Sequence, residues 1–271
     1  FASLITATLS FAQEFKIALK ENSQFLINTE INVLTSYELG GNNMENNVRK
    51  LLTRSVTVNS KSGTQIMLTD STKRLQVQLK ANGQEVAYDS DKKDNPLIME
   101  EAFGSQSRSV LQTKLDEHGN RILLNSTAPN SLLHIDMMSG SLANGNIYCL
   151  HTPLSGRDMR EGSKWFDSLT MKDEKASHNL SGSYKVKENS NDKIIIAFEG
   201  IQKSKGLTSQ MGQDINMTGE CIVSATFTAD SKSGLVIAYT ATYDGTIYLD
   251  MAASIIPVIV KITTRSGVSF Y

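Results

Sequence analysis

CIVSATFTADSKSGLVIAYTATY, Cys221–Tyr243, is the stretch that decides how this chain is read. Cys221, Val223, Ala225 and Phe227 occupy alternate positions; Leu235, Ile237, Tyr239, Ala241 and Tyr243 resume the alternation after Asp230-Ser231-Lys232-Ser233-Gly234. Successive side chains of an extended backbone point to opposite sides, so this period of two describes a strand with one apolar and one wet face. Two such strands joined by a polar, Gly-containing turn form an antiparallel hairpin.

The same grammar extends outward. Phe25, Ile27, Ile31, Val33 and Tyr37 share parity up to Gly40-Gly41-Asn42-Asn43. Arg54 to Asn59 and Thr64 to Thr69 form a hairpin around Lys61-Ser62-Gly63; Lys73 to Leu79 follows and ends at the Asn82-Gly83 turn. Asn95-Pro96 caps and begins a short helix from Leu97 to Phe103, carrying Met99. Strands return at Ser109 to Leu115 and Arg121 to Leu124, and Pro129 to Met138 reads as a second short helix. Ser139 to Trp165 reads as a loop in which Asn146 to Leu150 alone is strand-like. Gly182 to Val186 pairs with Lys193 to Phe198, Ser204 to Met217 is a linker, and Gly245 marks a turn before Ile247 to Met251. Pro257 places the start of the last strand at an edge, because proline cannot donate to a ladder.

The fold class that follows is mainly β: one large, curved, half-barrel-like antiparallel sheet with one or two short helical inserts. Its strands have a single apolar face, and either curling or the helices must cover it. The alternative is a pair of β-sandwich-like halves split near Ser139 to Asp158.

Phe1 to Ala12 carries no charge and ends in small residues, as does the tail of a secretory signal peptide. The expectation is a signal remnant at 1–12, one β-rich domain at 13–271, and a periplasmic or extracellular location. The alternative for 1–12 is a buried N-terminal strand. Lys and Arg total 27 against 28 acidic residues, a balance that gives no support for nucleic-acid binding. No apolar run reaches the length of a transmembrane helix.

Several phrases carry a resemblance: TKRLQVQLKANGQEVAYDSDKKDNPL at Thr72–Leu97, LDEHGN at Leu115–Asn120, MREGSKW at Met159–Trp165 and SATFTADSKSGLVIAYTATYDG at Ser224–Gly245. Together they resemble a family of uncharacterised exported bacterial proteins of the Bacteroidetes type, secreted or lipid-anchored. The resemblance implies a half-barrel like those of lipoprotein carriers; the family has no assigned activity, so no functional residue is carried over from it. Leu124 to Asp158 departs from the pattern, with Ser, Asn and Gly where apolar residues are expected.

The chemistry-bearing residues form no motif. His118, His134, His151 and His178 have no second ligand at metal spacing, and no cofactor is implied. Cys149 and His151 share a strand face, without an evident base orientation or oxyanion hole. Cys149 and Cys221 can bridge in an oxidising compartment, or Cys221 can be a buried thiol in phase with Val223; the latter is preferred. Asp136, Asp158, Glu161 and Asp167 read as ordinary loop charge. Trp165 reads as a hydrophobic plug, and Tyr239 and Tyr243 line a core or an apolar cleft.

The function expected is therefore non-catalytic binding of a hydrophobic or amphipathic ligand, lipid included. Phe227, Leu235, Ile237 and Tyr239 are the expected wall, with Met99 and Phe103 as lid. The competing expectation is a structural or protein-interaction module of the cell envelope, in which the same residues close a solid core. An enzyme would require convergence of His151, Cys149 or two of Asp136, Asp158 and Glu161.

Overall fold

The computed structural model describes residues 17–116, 121–126, 157–172, 176–210, 213–251 and 254–270. Their strands join in one open antiparallel sheet. In chain order these are β1 (Gln24–Leu39), β2 (Asn42–Ser62), β3 (Gln65–Ala81), β4 (Gln84–Asp89), β5 (Val110–Asp116) and β6 (Arg121–Ser126). They are followed by β7 (Lys164–Lys172), β8 (Ala176–Asn189), β9 (Lys193–Gln210), β10 (Gln213–Asp230), β11 (Val236–Met251) and β12 (Ser254–Phe270), and the helix α1 (Leu97–Ser107) lies between β4 and β5. Side by side the order is β6-β5-β3-β2-β1-β12-β11-β10-β9-β8-β7, and β4 pairs the upper part of β3 beside β5. The first and last strands of the chain meet in the middle, Phe25 opposite Phe270, while β6 and β7 end the sheet without joining. The single curved sheet is the architecture read from the alternation, and it replaces the two-sandwich alternative.

Turn chemistry sets the hairpins. Gly40 and Gly41 have φ of 60° and 79°, and Asn82 and Gly83 have 50° and 79°. Two successive left-handed residues make the turn whose twist matches that of paired strands. The expected start of α1 holds at Pro96, but Asn95 does not cap it. Its side chain instead accepts from the Asp89 amide at 2.9 Å and donates to the Asp89 and Lys92 carbonyls at 2.9 and 3.0 Å. That knot folds the 89–96 connection back and lays the helix on the same face as the core. Met99 packs there with Leu52, Leu75, Val77 and Tyr88, and Phe103 joins from the margin.

Several local readings change. Lys73 to Leu79 is no separate strand, because β3 runs unbroken past a bulge at Lys73, which has no partner between Thr53↔Arg74 and Arg54↔Thr72. Ser204 to Met217 is no linker: its polar residues belong to β9 and β10, which pair with each other as far as Gln210 opposite Gln213. The end of the supposed loop at Trp165 lies in β7, paired to β8. Gly245 makes no turn but sits inside β11 opposite Cys221, where a Cβ would come within 2.1 Å of the Glu220 carbonyl oxygen. Pro257 lies in a central strand, yet β12 pairs β1 only from Ile259 onward, so the proline occupies a stretch hydrogen-bonded to β11 alone. The segments 1–12 and Pro129 to Met138, and the strand-like Asn146 to Leu150, lie outside the described residues.

Candidate functional site

The inward face is built by parity. On β10, Cys221, Val223, Ala225 and Phe227 are buried while Glu220, Ile222, Ser224 and Thr226 are exposed. β12 repeats this with Val258, Val260, Ile262 and Thr264 against Ile259, Lys261, Thr263 and Arg265, of which Thr263 is partly buried. The outer face of these strands is thus largely threonine, serine and charge. Its apolar exceptions are the cross-strand pair Ile201 and Ile222, and the group Tyr248, Ile255 and Ile259. The inner face is one continuous apolar surface running from β1 through β12 to β8, and across β2 and β3 to β5.

An aromatic ladder crosses it. Trp165 stacks on Tyr184 with centroids 5.1 Å apart and planes at 8°; Tyr184 meets Phe198 at 4.8 Å and Phe227 at 6.4 Å; Phe227 meets Tyr239 at 5.0 Å. Offset and tilted pairs at these distances add to what area burial alone contributes. Phe198 finds room because its neighbours on this face are Gly200 and, across the register, Gly182: a Cβ on either would lie within 2.7 Å of its ring. Trp165 is further covered by the Arg157 guanidinium, 6.0 Å from the ring centroid, which also donates to Asp167 at 2.8 Å.

One end of the face is closed by backbone bonds between connections. The Ala18 amide donates to the Ser233 carbonyl, the Ser231 amide to Asp192, and the Gly162 amide to Val186. Ile17, Leu19, Met159 and Leu235 are buried at this end as part of the same core.

Of the expected wall, Phe227, Leu235 and Tyr239 are brought together with nearly all their surface covered. Ile237 packs only partly against them, because a bulge between the Thr228↔Ala238 and Ala229↔Val236 pairs leaves it without a partner and gives its inward place to Val236. The expected lid residues Met99 and Phe103 belong to a second cluster over β2, β3 and β4. Asp158 is bound by Arg160, whose hydrogen bonds hold its carboxyl well below the usual range, while Asp167 is bound by Arg157. These acids are each committed to their own arginine. His178 is buried with Nδ1 2.8 Å from Ser204 Oγ. Cys221 is a free, buried thiol; burial, followed by the charges of Asp244 and Glu220, pushes it up to about 11. Cys149, His118, His134, His151 and Asp136 lie outside the described residues, and among the described residues no three His, Cys, Asp or Glu side chains could hold a metal ion.

Polar groups on the inner face were not anticipated. Arg54 and Asp70 form a buried ion pair, Arg54 Nε donating to Asp70 Oδ1 at 2.8 Å, and Lys50 is buried beside Ile31 and Val77. The signal was present: Arg54 is in phase with Leu52 and Val56, and Asp70 with Ile66 and Leu68, where charge does not belong unless it is partnered. Tyr239 and Tyr243, their hydroxyls included, are entirely enclosed, and burial holds both phenols well above the ordinary range.

No protein-family model and no curated protein matches the chain. Among solved structures it is similar to lipovitellin, from a study of lipid–protein interactions in that protein, with a TM-score of 0.50 and 7% identity over 93% of this chain. The match takes in 26% of the lipovitellin chain, so this chain spans about a quarter of that protein's length. Matches also include an outer-membrane channel from Pseudomonas putida F1 (TM-score 0.36, 9% identity, 93% of this chain and 97% of that one). The translocator domain of autotransporter NalP from Neisseria meningitidis scores 0.27 at 8% identity, over 93% of this chain and 90% of that one. The lipovitellin likeness is one of fold; the other two superpose below the level at which a shared fold can be argued.

Proposed function

We propose that the chain is a non-catalytic binding protein for a hydrophobic or amphipathic ligand, a lipid among the candidates, held against the inner face of the open sheet. The observation that carries this reading is the polarity of the two faces. A sheet that faces lipid alternates apolar-out and polar-in; β10 and β12 do the reverse, turning Thr, Ser and charge outward and a continuous apolar surface inward. Such a sheet, in which the end strands β6 and β7 do not pair among the described residues, has an inside suited to an apolar guest. Lipovitellin, studied for its lipid–protein interactions, lends the fold a precedent at 7% identity. Phe227, Ile237 and Tyr239 remain the proposed wall, with Leu235 at its closed end and α1, through Met99 and Phe103, as cover for the adjoining stretch. The uncharged 1–12 segment supports export and a place in the cell envelope.

A second reading has its own observation. Phe227, Leu235, Tyr239 and Met99 are each at most 5% exposed, as they would be in a solid core of a structural or interaction module of the envelope. Native mass spectrometry of protein from its host, with organic extraction of the same sample, separates the two. Co-purified acyl lipid, or saturable uptake of oleic acid by stripped protein, is the expected result. Stripped protein that takes up neither oleic acid nor a hydrophobic fluorophore establishes the solid core instead.

A further inference from the structure

The outer face departs most strongly from its own pattern at the start of β12. Ile255, Pro257 and Ile259 take three successive outward positions there, the two isoleucines 66% and 56% exposed. Tyr248, 48% exposed, stands opposite Pro257 on β11, and Leu34, 37% exposed, is the diagonal neighbour of Ile259 across the β1 register. Behind them Ile256, Val258 and Val260 fill the inner face, so this part of β12 is apolar on both sides. The sequence holds no charge from Met251 to Val260. The patch lies beside the β11–β12 hairpin, at the opposite end of β11 from the connections that close the core.

Three features decide what covers it. The first is backbone: the β1 ladder on β12 ends at Ser36 opposite Ile259, and Pro257, within the stretch beyond, blunts that edge as a template for an added strand. The second is size. Ile255, Pro257, Ile259, Tyr248 and Leu34 are few beside the roughly 20–30 residues a side that a stable protein interface uses. The third is charge. Lys261 follows Ile259 on the same face, and Lys205 shares the row of Tyr248 two strands away. Against them stand Asp250 opposite Ile255, Asp244 opposite Lys261, and Glu38 and Glu45 beside Ser36, while Lys203 is bound to Glu220 at 3.6 Å. Acids outnumber lysines around the patch, so an anionic surface gains nothing here. A zwitterionic lipid presents an ammonium outermost, which suits both the acids and the face of a tyrosine ring. Tyrosine and lysine at the margin of an apolar patch also match the lipid–water boundary, each with an apolar body and a polar tip.

We infer that the outer face at the β11–β12 hairpin docks this protein on a zwitterionic lipid surface. Ile255, Ile259 and Leu34 enter among the headgroups, and Tyr248 and Lys261 lie at their level. The inference stands apart from the ligand-binding reading, since it concerns the opposite face of the sheet.

The test is flotation of the whole protein with vesicles of 1-palmitoyl-2-oleoylphosphatidylcholine, at low and at high salt. Wild type is expected to float at both, because apolar contact is not screened. I255T/I259T keeps the branched side chains that strands favour and restores the threonine pattern of the outer face. It should melt as wild type does and partition about tenfold less or weaker still, from the apolar area withdrawn from lipid. I222T is the control: Ile222 is also 66% exposed on the outer face but lies outside the patch, and its loss should leave flotation unchanged. The single variants I255T and I259T carry the test if the double variant does not fold. Flotation of I255T/I259T equal to wild type, or an equal loss in I222T, overturns the inference. So does binding that appears only with phosphatidylglycerol and vanishes at high salt. Wild type that ignores the vesicles but sediments as a dimer dissolved by I255T/I259T assigns the patch to a second copy and overturns it as well; wild type that does neither overturns it outright.

Discussion

Replacing Asp70 by asparagine should be among the most damaging single changes in the sheet. Asp70 is 1% exposed and Arg54 4%, and their two forked contacts lie among Ile27, Val56 and Leu68. Removing one partner of a buried pair leaves an uncompensated charge, typically a loss of about 3–5 kcal/mol against a total stability of about 5–15 kcal/mol. Removing both is a different matter. R54M/D70L restores an apolar interior of similar volume and should lie within about 1 kcal/mol of wild type or above it. The pair occupies the short run of β2 and β3 between two bulges, at Asn59 and at Lys73. A one-residue slip there would turn both charges outward and their apolar neighbours with them, so the pair's contribution is to register more than to stability. The assay is guanidinium unfolding at pH 7 of wild type, D70N, R54M and R54M/D70L, with the m-value checked for constancy. The exposed Arg49–Glu30 pair, at 2.8 Å on the outer face, is the control, and E30Q should cost less than about 1 kcal/mol. A D70N loss no larger than that of E30Q, or a double variant as unstable as D70N, would refute the reasoning.

Gly245→Ala should destabilise by more than the ordinary propensity cost, because its Cβ would meet backbone of β10 that cannot turn aside; thermal melts of G245A beside the open-space control G267A test this. In a C149S variant, Cys221 should react with a thiol reagent at pH 8 only after denaturation, and rapid labelling of that folded variant would contradict its burial. Stability should fall as the pH rises above about 9. Cys221, Tyr239 and Tyr243 all have folded values above their unfolded ones, so the unfolded chain ionises first; each group adds a slope of about 1.4 kcal/mol per pH unit while only the unfolded state is titrated. Met99→Ala should cost about 2–4 kcal/mol and release α1 from β3 and β4, read as amide exchange in 97–107 faster than in the central strands.

The parts of this structure legible in the sequence are those where one physical rule acts alone. Period-two alternation from Cys221 to Phe227 and from Tyr239 to Tyr243 has one explanation, and the two strands pair as a hairpin as read, with only the start of the second out of phase. The errors fall where two rules compete. Glycine at 245 suggested a turn because glycine permits one, but here it lets β10 and β11 approach closely, and only the register distinguishes these uses. Ser204 to Met217 is polar and Gly-containing, and composition alone made it a linker; it is strand because its backbone is paired along β9 and β10, whatever its side chains prefer. The bulges at Asn59, Lys73 and Ile237 each shift parity by one residue and carry no local marker. Ile237 therefore looked like an inward wall residue, while Val236 holds that place.

The candidate site was legible to the same degree and for the same reason. Its apolar wall follows from alternation, so Phe227 and Tyr239 could be named from parity. Its polar content could not, because a hydroxyl or a charge in phase with apolar residues has two outcomes and the partner decides between them. Thr29 finds Ser266 and Arg54 finds Asp70, in both cases across the sheet and between strands distant or displaced in sequence. Tyr239 and Tyr243, buried on the same face of β11 on either side of Ala241, find each other.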